Sequence, residues 1–102
     1  MNGWTSYKHG STIGNKGSEN GKIIFDEEYM GSCRITLEET KAVPYSITCG
    51  VYGMLCHTVF ADTPPEAKQK YEGIKQDLKA FIDSDMDDAS VMIWVENFIE
   101  KW

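Results

Sequence analysis

The chain of 102 residues, 41% hydrophobic and 25% charged, is long enough for one domain and one core, which buries about 65% of the surface its unfolded form exposes. A net charge of −6 with no Lys/Arg cluster gives counterion release from a phosphate backbone nothing to act on, so nucleic acid is excluded as a partner class. No apolar run approaches the roughly 20 residues of a membrane span, and the opening residues 1–8 hold no apolar leader core. The expectation is a cytoplasmic protein that does not engage a membrane.

Residues 1–21 read as a glycine-rich N-terminal arm, with Trp4-Thr5-Ser6-Tyr7 a short strand and residues 9–22 a long loop. Gly10, Gly14, Gly17, Gly21 and Lys22 invite a phosphate-loop reading, but the spacing fails. Only three residues separate Gly17 from Gly21, Ile23 follows the lysine, and a strand instead of a helix comes next.

Residues 22–61 read as strands. Ile23-Ile24-Phe25 is one strand core, and Asp26-Glu27-Glu28-Tyr29-Met30-Gly31 is read as the turn after it, its acids solvated. Ser32 to Glu39 then alternates cleanly, Cys33, Ile35 and Leu37 on one face and Arg34, Thr36 and Glu38 on the other, as in an antiparallel strand with one wet side.

The run from Tyr45 to Ala61 is nearly free of charge, with apolar residues that fall on both faces. It reads either as a hairpin with Tyr52-Gly53 at its tip or as one long strand bent at Gly50 and Gly53; strand length favours the hairpin. A two-sided run implies that both sheet faces are covered, one by helices and the other by the N-terminal arm or a second subunit.

Residues 63–102 read as two helices. Thr63-Pro64-Pro65-Glu66 is a cap, two prolines where no N–H is needed, and an acid three residues on. Ala67, Tyr71, Ile74, Leu78, Phe81 and Ile82 follow at helical spacing. The second helix starts at Ser84-Asp85-Met86-Asp87-Asp88, with Val91, Trp94, Val95, Phe98 and Trp102 as its apolar face. Asp83, Asp85 and Asp87 match the first ligands of an EF-hand loop, but Trp94 stands where the bidentate glutamate belongs, so capping accounts for them. The fold class is therefore α+β: a two-layer domain spanning residues 1–102, with an antiparallel sheet of three or four strands and both C-terminal helices on one face.

Chemistry concentrates at Cys49, Cys56 and His57. Three cysteines (Cys33, Cys49, Cys56) cannot all pair within one chain, and their separations match no disulfide framework, which suits reduced thiols. Six residues separate Cys49 from Cys56, too many for a zinc knuckle, so no metal and no cofactor is implied. In a hairpin these two thiols would face each other across the strands. Adjacent Cys56 and His57 point to opposite faces, which argues against a thiol–imidazole pair; His9, on the arm, is the other candidate base. Trp4, Tyr7, Tyr29 and Tyr52, near loops or chain ends, are candidates for a recognition surface. Two functions remain in view: an acidic interaction or regulatory module without catalytic activity that binds protein, a basic partner or itself as a homodimer, and a small ligand-binding or thiol-dependent enzyme. The latter's pocket would lie between the glycine loop and the central strands.

Overall fold

The structure, a computed structural model, describes residues 3–102, so Met1 and Asn2 of the arm lie outside the described residues. Five strands, β1 (Trp4–Ser6), β2 (Lys22–Tyr29), β3 (Cys33–Glu39), β4 (Tyr45–Val51) and β5 (Leu55–Ala61), precede α1 (Pro64–Ile82) and α2 (Asp88–Lys101). The sheet order β1-β2-β3-β4-β5 follows the chain and every neighbouring pair is antiparallel. The α+β class and the two helices against one face agree with expectation, and the three or four strands become five. The extra strands come from the short β1, which pairs Trp4 with Tyr29, and from residues 45–61 being a hairpin. Its loop is Tyr52-Gly53-Met54, closed by Met54 N–H donating to the Val51 carbonyl at 3.0 Å. Gly53 at φ +76° supplies the positive dihedral that a β-branched or bulky residue would resist.

The acids expected in a turn lie within β2. The turn proper is Met30-Gly31, both at positive φ (54° and 65°), the geometry that hairpins normally fill with Asn-Gly. Methionine is strained there, so Met30→Asn is expected to raise stability by about 1 kcal/mol, read from the urea midpoint at unchanged m.

The core lies between one sheet face and α1. Cys33, Ile35 and Leu37 of β3, Ile47, Cys49 and Val51 of β4 and Leu55, Val59 and Ala61 of β5 are buried with Ala67, Tyr71, Ile74, Leu78 and Phe81 of α1. Thr63 caps α1, its Oγ1 accepting from Glu66 N–H at 3.3 Å, and Asp87 caps α2, accepting from Ser90 N–H at 2.8 Å. Large aromatics hold α2 in place. Trp94 stacks between Phe81 (4.0 Å between centroids) and Phe98 (5.0 Å), and the Trp102 indole donates to Asp77 at 2.9 Å.

Asp83 closes α1, accepting from Tyr29 Oη at 2.6 Å and Lys79 Nζ at 2.8 Å. The Lys79 hydrogen bond, then that of Tyr29, holds its carboxyl below the usual carboxylate range. A depressed folded-state pKa stabilises above the unfolded value and is lost as pH falls through the folded one. Asp83→Asn is therefore expected to lower the melting temperature at pH 7, with the gap to the native chain closing as pH drops below 4.

The second face of the sheet departs from expectation. The sequence of residues 45–61 implies apolar groups on both sides, but the hairpin reverses the strand and sends Ser46, Thr48 and Gly50 of β4 and Cys56, Thr58 and Phe60 of β5 to the side away from the helices. With Asp26, Glu28, Arg34, Thr36 and Glu38 beside them, that face is mainly polar. The N-terminal arm lies against it.

Candidate functional site

The arm is fastened to the polar face by two buried carboxylates. Asp26, 2% exposed, accepts from Arg34 Nε (2.8 Å) and Nη2 (2.7 Å), from Thr36 Oγ1 (3.1 Å) and from Thr12 Oγ1 of the arm (2.8 Å). Arg34 is pressed on its other side by the Tyr7 ring, 3.7 Å from the guanidinium carbon. Glu38, 0% exposed, accepts from the backbone N–H of Gly21 at 3.0 Å and of Glu19 at 3.2 Å. A Cβ at Gly17 would stand 2.3 Å from the Glu38 carboxyl carbon, so glycine is needed where the loop passes over it. The glycine loop that failed the phosphate spacing thus cradles an anion after all: the chain's own carboxylate.

Where the arm and the β4–β5 hairpin diverge, an open groove of about 860 Å³ remains. Thr12, Asn15, Lys16, Gly17 and Ser18 of the arm form one wall. The opposite wall is Gly50, Tyr52, Met54 and Cys56, with Ile23, Arg34, Thr36 and Thr48 across the floor. None of the sixteen acids lines it, whereas Arg34 and Lys16 do. The Tyr52 hydroxyl donates to Glu28 at 2.5 Å, and burial, then this bond, raises its pKa well above the ordinary phenol value. Ser46 Oγ and Thr48 Oγ1 on the same face are buried without a hydrogen-bond partner among the described residues.

The thiols separate. Cys49 pairs in register with His57 and Gly50 with Cys56, so Cys49 joins Cys33 in the helix-side core while Cys56 is exposed on the groove side. They do not face each other across the hairpin, because seven residues of separation through a three-residue loop place them on opposite faces. Burial pushes the Cys33 thiol up to about 11 and the Cys49 thiol up to about 12, so neither forms a nucleophilic thiolate at neutral pH. Alkylation of the folded chain by iodoacetamide at pH 7.5 is expected to stop at one adduct, on Cys56, by mass spectrometry. His57 lies edge-on to Phe98 at 6.3 Å with Nε2 buried and unpartnered among the described residues. His9 is exposed on a short 3-10 turn (Tyr7–Gly10) and does not line the groove with Cys56. Cys56 therefore has no histidine beside it to act as base.

The four aromatic candidates divide as well. Trp4 and Tyr29 are core residues, packed on each other at 5.3 Å, because β1 joins the sheet and turns Trp4 inward. Tyr7 and Tyr52 flank Arg34 on the polar face, the one half-buried and the other exposed. What sequence reasoning missed is the acid trio of β2: Asp26 binds Arg34, Glu27 binds Lys75 (3.0 Å) and Tyr71 (2.7 Å), and Glu28 binds Tyr52. From Phe25 to Tyr29 the strand alternates, with Phe25, Glu27 and Tyr29 on one face, but an irregularity between Ile23 and Phe25 breaks the pattern before it and hides the signal in the sequence.

A second surface is the free edge of β5. The Cys56, Thr58 and Phe60 main-chain groups point away from β4, since Leu55, His57, Val59 and Ala61 alternate with them, and the Phe60 carbonyl is reached from outside by Lys70 Nζ at 2.8 Å. The seven residues of this strand include no Asp, Glu, Lys or Arg, and Phe60 is 48% exposed. On α2, the neighbouring helix, Met92, Ile93 and Ile99 are exposed too.

Among the described residues no group of three or more His, Cys, Asp or Glu side chains is placed to hold a metal ion, and no helix is long and apolar enough to cross a membrane. No family model matches the chain, and comparison with curated proteins and with solved structures gives no match.

Proposed function

We propose that this chain is an acidic interaction module without catalytic activity that binds protein by strand addition at β5, with a second copy of itself as the partner. The observation that carries this reading is the β5 edge. Edge strands are ordinarily blunted by charge, proline, a bulge or brevity, and β5 has none of these, only the Lys70 contact at one carbonyl. In a chain of net charge −6 two copies repel, and a neutral strip is where that repulsion is least. Antiparallel self-pairing centred on Thr58 is isologous and sets Cys56 of one copy opposite Phe60 of the other. Three unpaired thiols suit a reducing, cytosolic setting.

Sedimentation equilibrium across a concentration series tests this. The native chain is expected to show a monomer–dimer equilibrium, with Thr58→Pro and Phe60→Lys monomeric at concentrations where the native chain is dimeric. Proline is tolerated where the replaced N–H faces outward, so Thr58→Pro removes the pairing and not the fold, which circular dichroism verifies. A native chain that stays monomeric throughout, or a dimer indifferent to both substitutions, overturns the proposal.

A second reading, the binding of a small ligand, is favoured by the groove, which falls between the glycine arm and the central strands. Its thiol-enzyme form lacks support, because no histidine lies beside Cys56.

A further inference from the structure

The groove differs from the rest of the surface in charge. Acids outnumber Lys and Arg sixteen to ten in this chain, yet the groove is lined by two cations and no acid. Lys16 forms no ion pair among the described residues. Arg34 is held rigidly: Asp26 grips the Nε and Nη2 edge, and Tyr7 covers one face of the plane. Side-on pairing of this kind leaves the Nη1 edge of the fork unspent, and a guanidinium already fixed in place loses little further entropy on binding. Asp26 also accepts from Thr12 and Thr36, which fixes the Asp26–Arg34 pair beneath the arm.

The remaining lining is weakly polar. Ile23, Met54, Cys56 and the bare backbone at Gly50 offer a strip for an apolar group, with Tyr52 at its margin. The volume lies within the range of about 300–1,000 Å³ typical of small-molecule clefts. A basic peptide would find no carboxylate here, and a nucleic acid would find too few cations.

We infer that the groove between the arm and the β4–β5 hairpin binds an amphipathic anion, a carboxylate or phosphate ester on a short apolar tail, with its charged head on Arg34 and Lys16 and its tail along Ile23 and Met54. The inference rests on the small-ligand reading of the groove and is independent of pairing at β5.

Titration of the ¹⁵N-labelled full chain followed by amide shifts provides the test, with sodium decanoate and decyl phosphate as the two anions. Decanol and decyltrimethylammonium serve as neutral and cationic controls, all below their micelle concentrations. Both or either anion is expected to shift the amides of Lys16, Gly50, Gly53 and Cys56, and the tighter of the two assigns the head group. Decanol is expected to bind about tenfold more weakly, the loss of one charge-assisted hydrogen bond in a half-open site. Lys16→Glu is expected to weaken anion binding severalfold, whereas Lys41→Glu, a cation outside the groove, leaves it unchanged. Equal binding of decanol and decanoate, preference for the cation, shifts confined to residues outside the groove, or indifference to Lys16→Glu each overturns the inference. Thr58→Pro read in the same titration keeps the two surfaces apart: unchanged anion binding by the monomeric variant upholds the groove without the dimer.

Discussion

Replacing Asp26 with alanine is expected to destabilise the chain by about 3–5 kcal/mol, the range for removing one partner of a buried ion pair. The physical reason is what remains behind. Arg34, its ion partner, and the hydroxyls of Thr36 and Thr12 would all lose their acceptor at once, and the arm would lose its tether to β2. Urea denaturation of Asp26→Ala gives the total. Replacing both members, as Asp26→Leu with Arg34→Met, is expected to recover much of the loss, because no uncompensated charge is then left beneath the arm. A single variant within 1 kcal/mol of the native chain would show that the pair is solvated in solution.

The second large effect belongs to Glu38. Its carboxylate accepts backbone N–H groups from Gly21 and Glu19 in a fully buried position, and hydrogen bonds to a charged group contribute about 1.5–3 kcal/mol each. Truncation in Glu38→Ala is expected to cost about 3 kcal/mol, reduced by whatever desolvation the buried charge itself imposes. A local signature separates this variant from that of Asp26. The loop from Gly17 to Gly21 should open, so the Gly21 amide exchanges rapidly with solvent and the arm becomes sensitive to proteolysis at Lys16 and Lys22, while the core amides of β3 and β4 keep their protection. Loss of protection throughout the sheet would instead place Glu38 in the global folding unit.

Much of the architecture was legible because it rests on local chemistry. The cap at Thr63 with its two prolines and the apolar spacing from Ala67 to Phe81 mark α1 within a few residues. Alternation from Cys33 to Glu39 marks β3 and its polar side, but that side is not wet as expected: Thr36 and Glu38 are buried, because the N-terminal arm lies over them. The parity that sets Cys56 and His57 on opposite faces also holds. The failures were non-local. Asp26, Glu27 and Glu28 look like a solvated turn until Arg34, Lys75 and Tyr52 are known to meet them from 8, 48 and 24 positions away. Trp4 near a chain end looks exposed until β1 is seen to pair with β2.

The glycine arm shows the same division. Sequence alone determined that the glycine-rich stretch ahead of β2 is irregular and too closely spaced for a phosphate, because φ freedom and spacing are properties of neighbouring residues, although of the expected loop 9–22 His9 and Gly10 close a 3-10 turn and Lys22 already belongs to β2. It also determined the α+β order of strands then helices, since periodicity is written along the chain. Only the tertiary structure decided that the hairpin at Gly53 turns Ser46, Thr48 and Thr58 to a polar face, that Glu38 sits under Gly17, and that the space left beside Arg34 is a groove without acids. Those outcomes depend on strand register and on which carboxylates a folded sheet buries, and one residue of register moves every side chain of a strand to the opposite face.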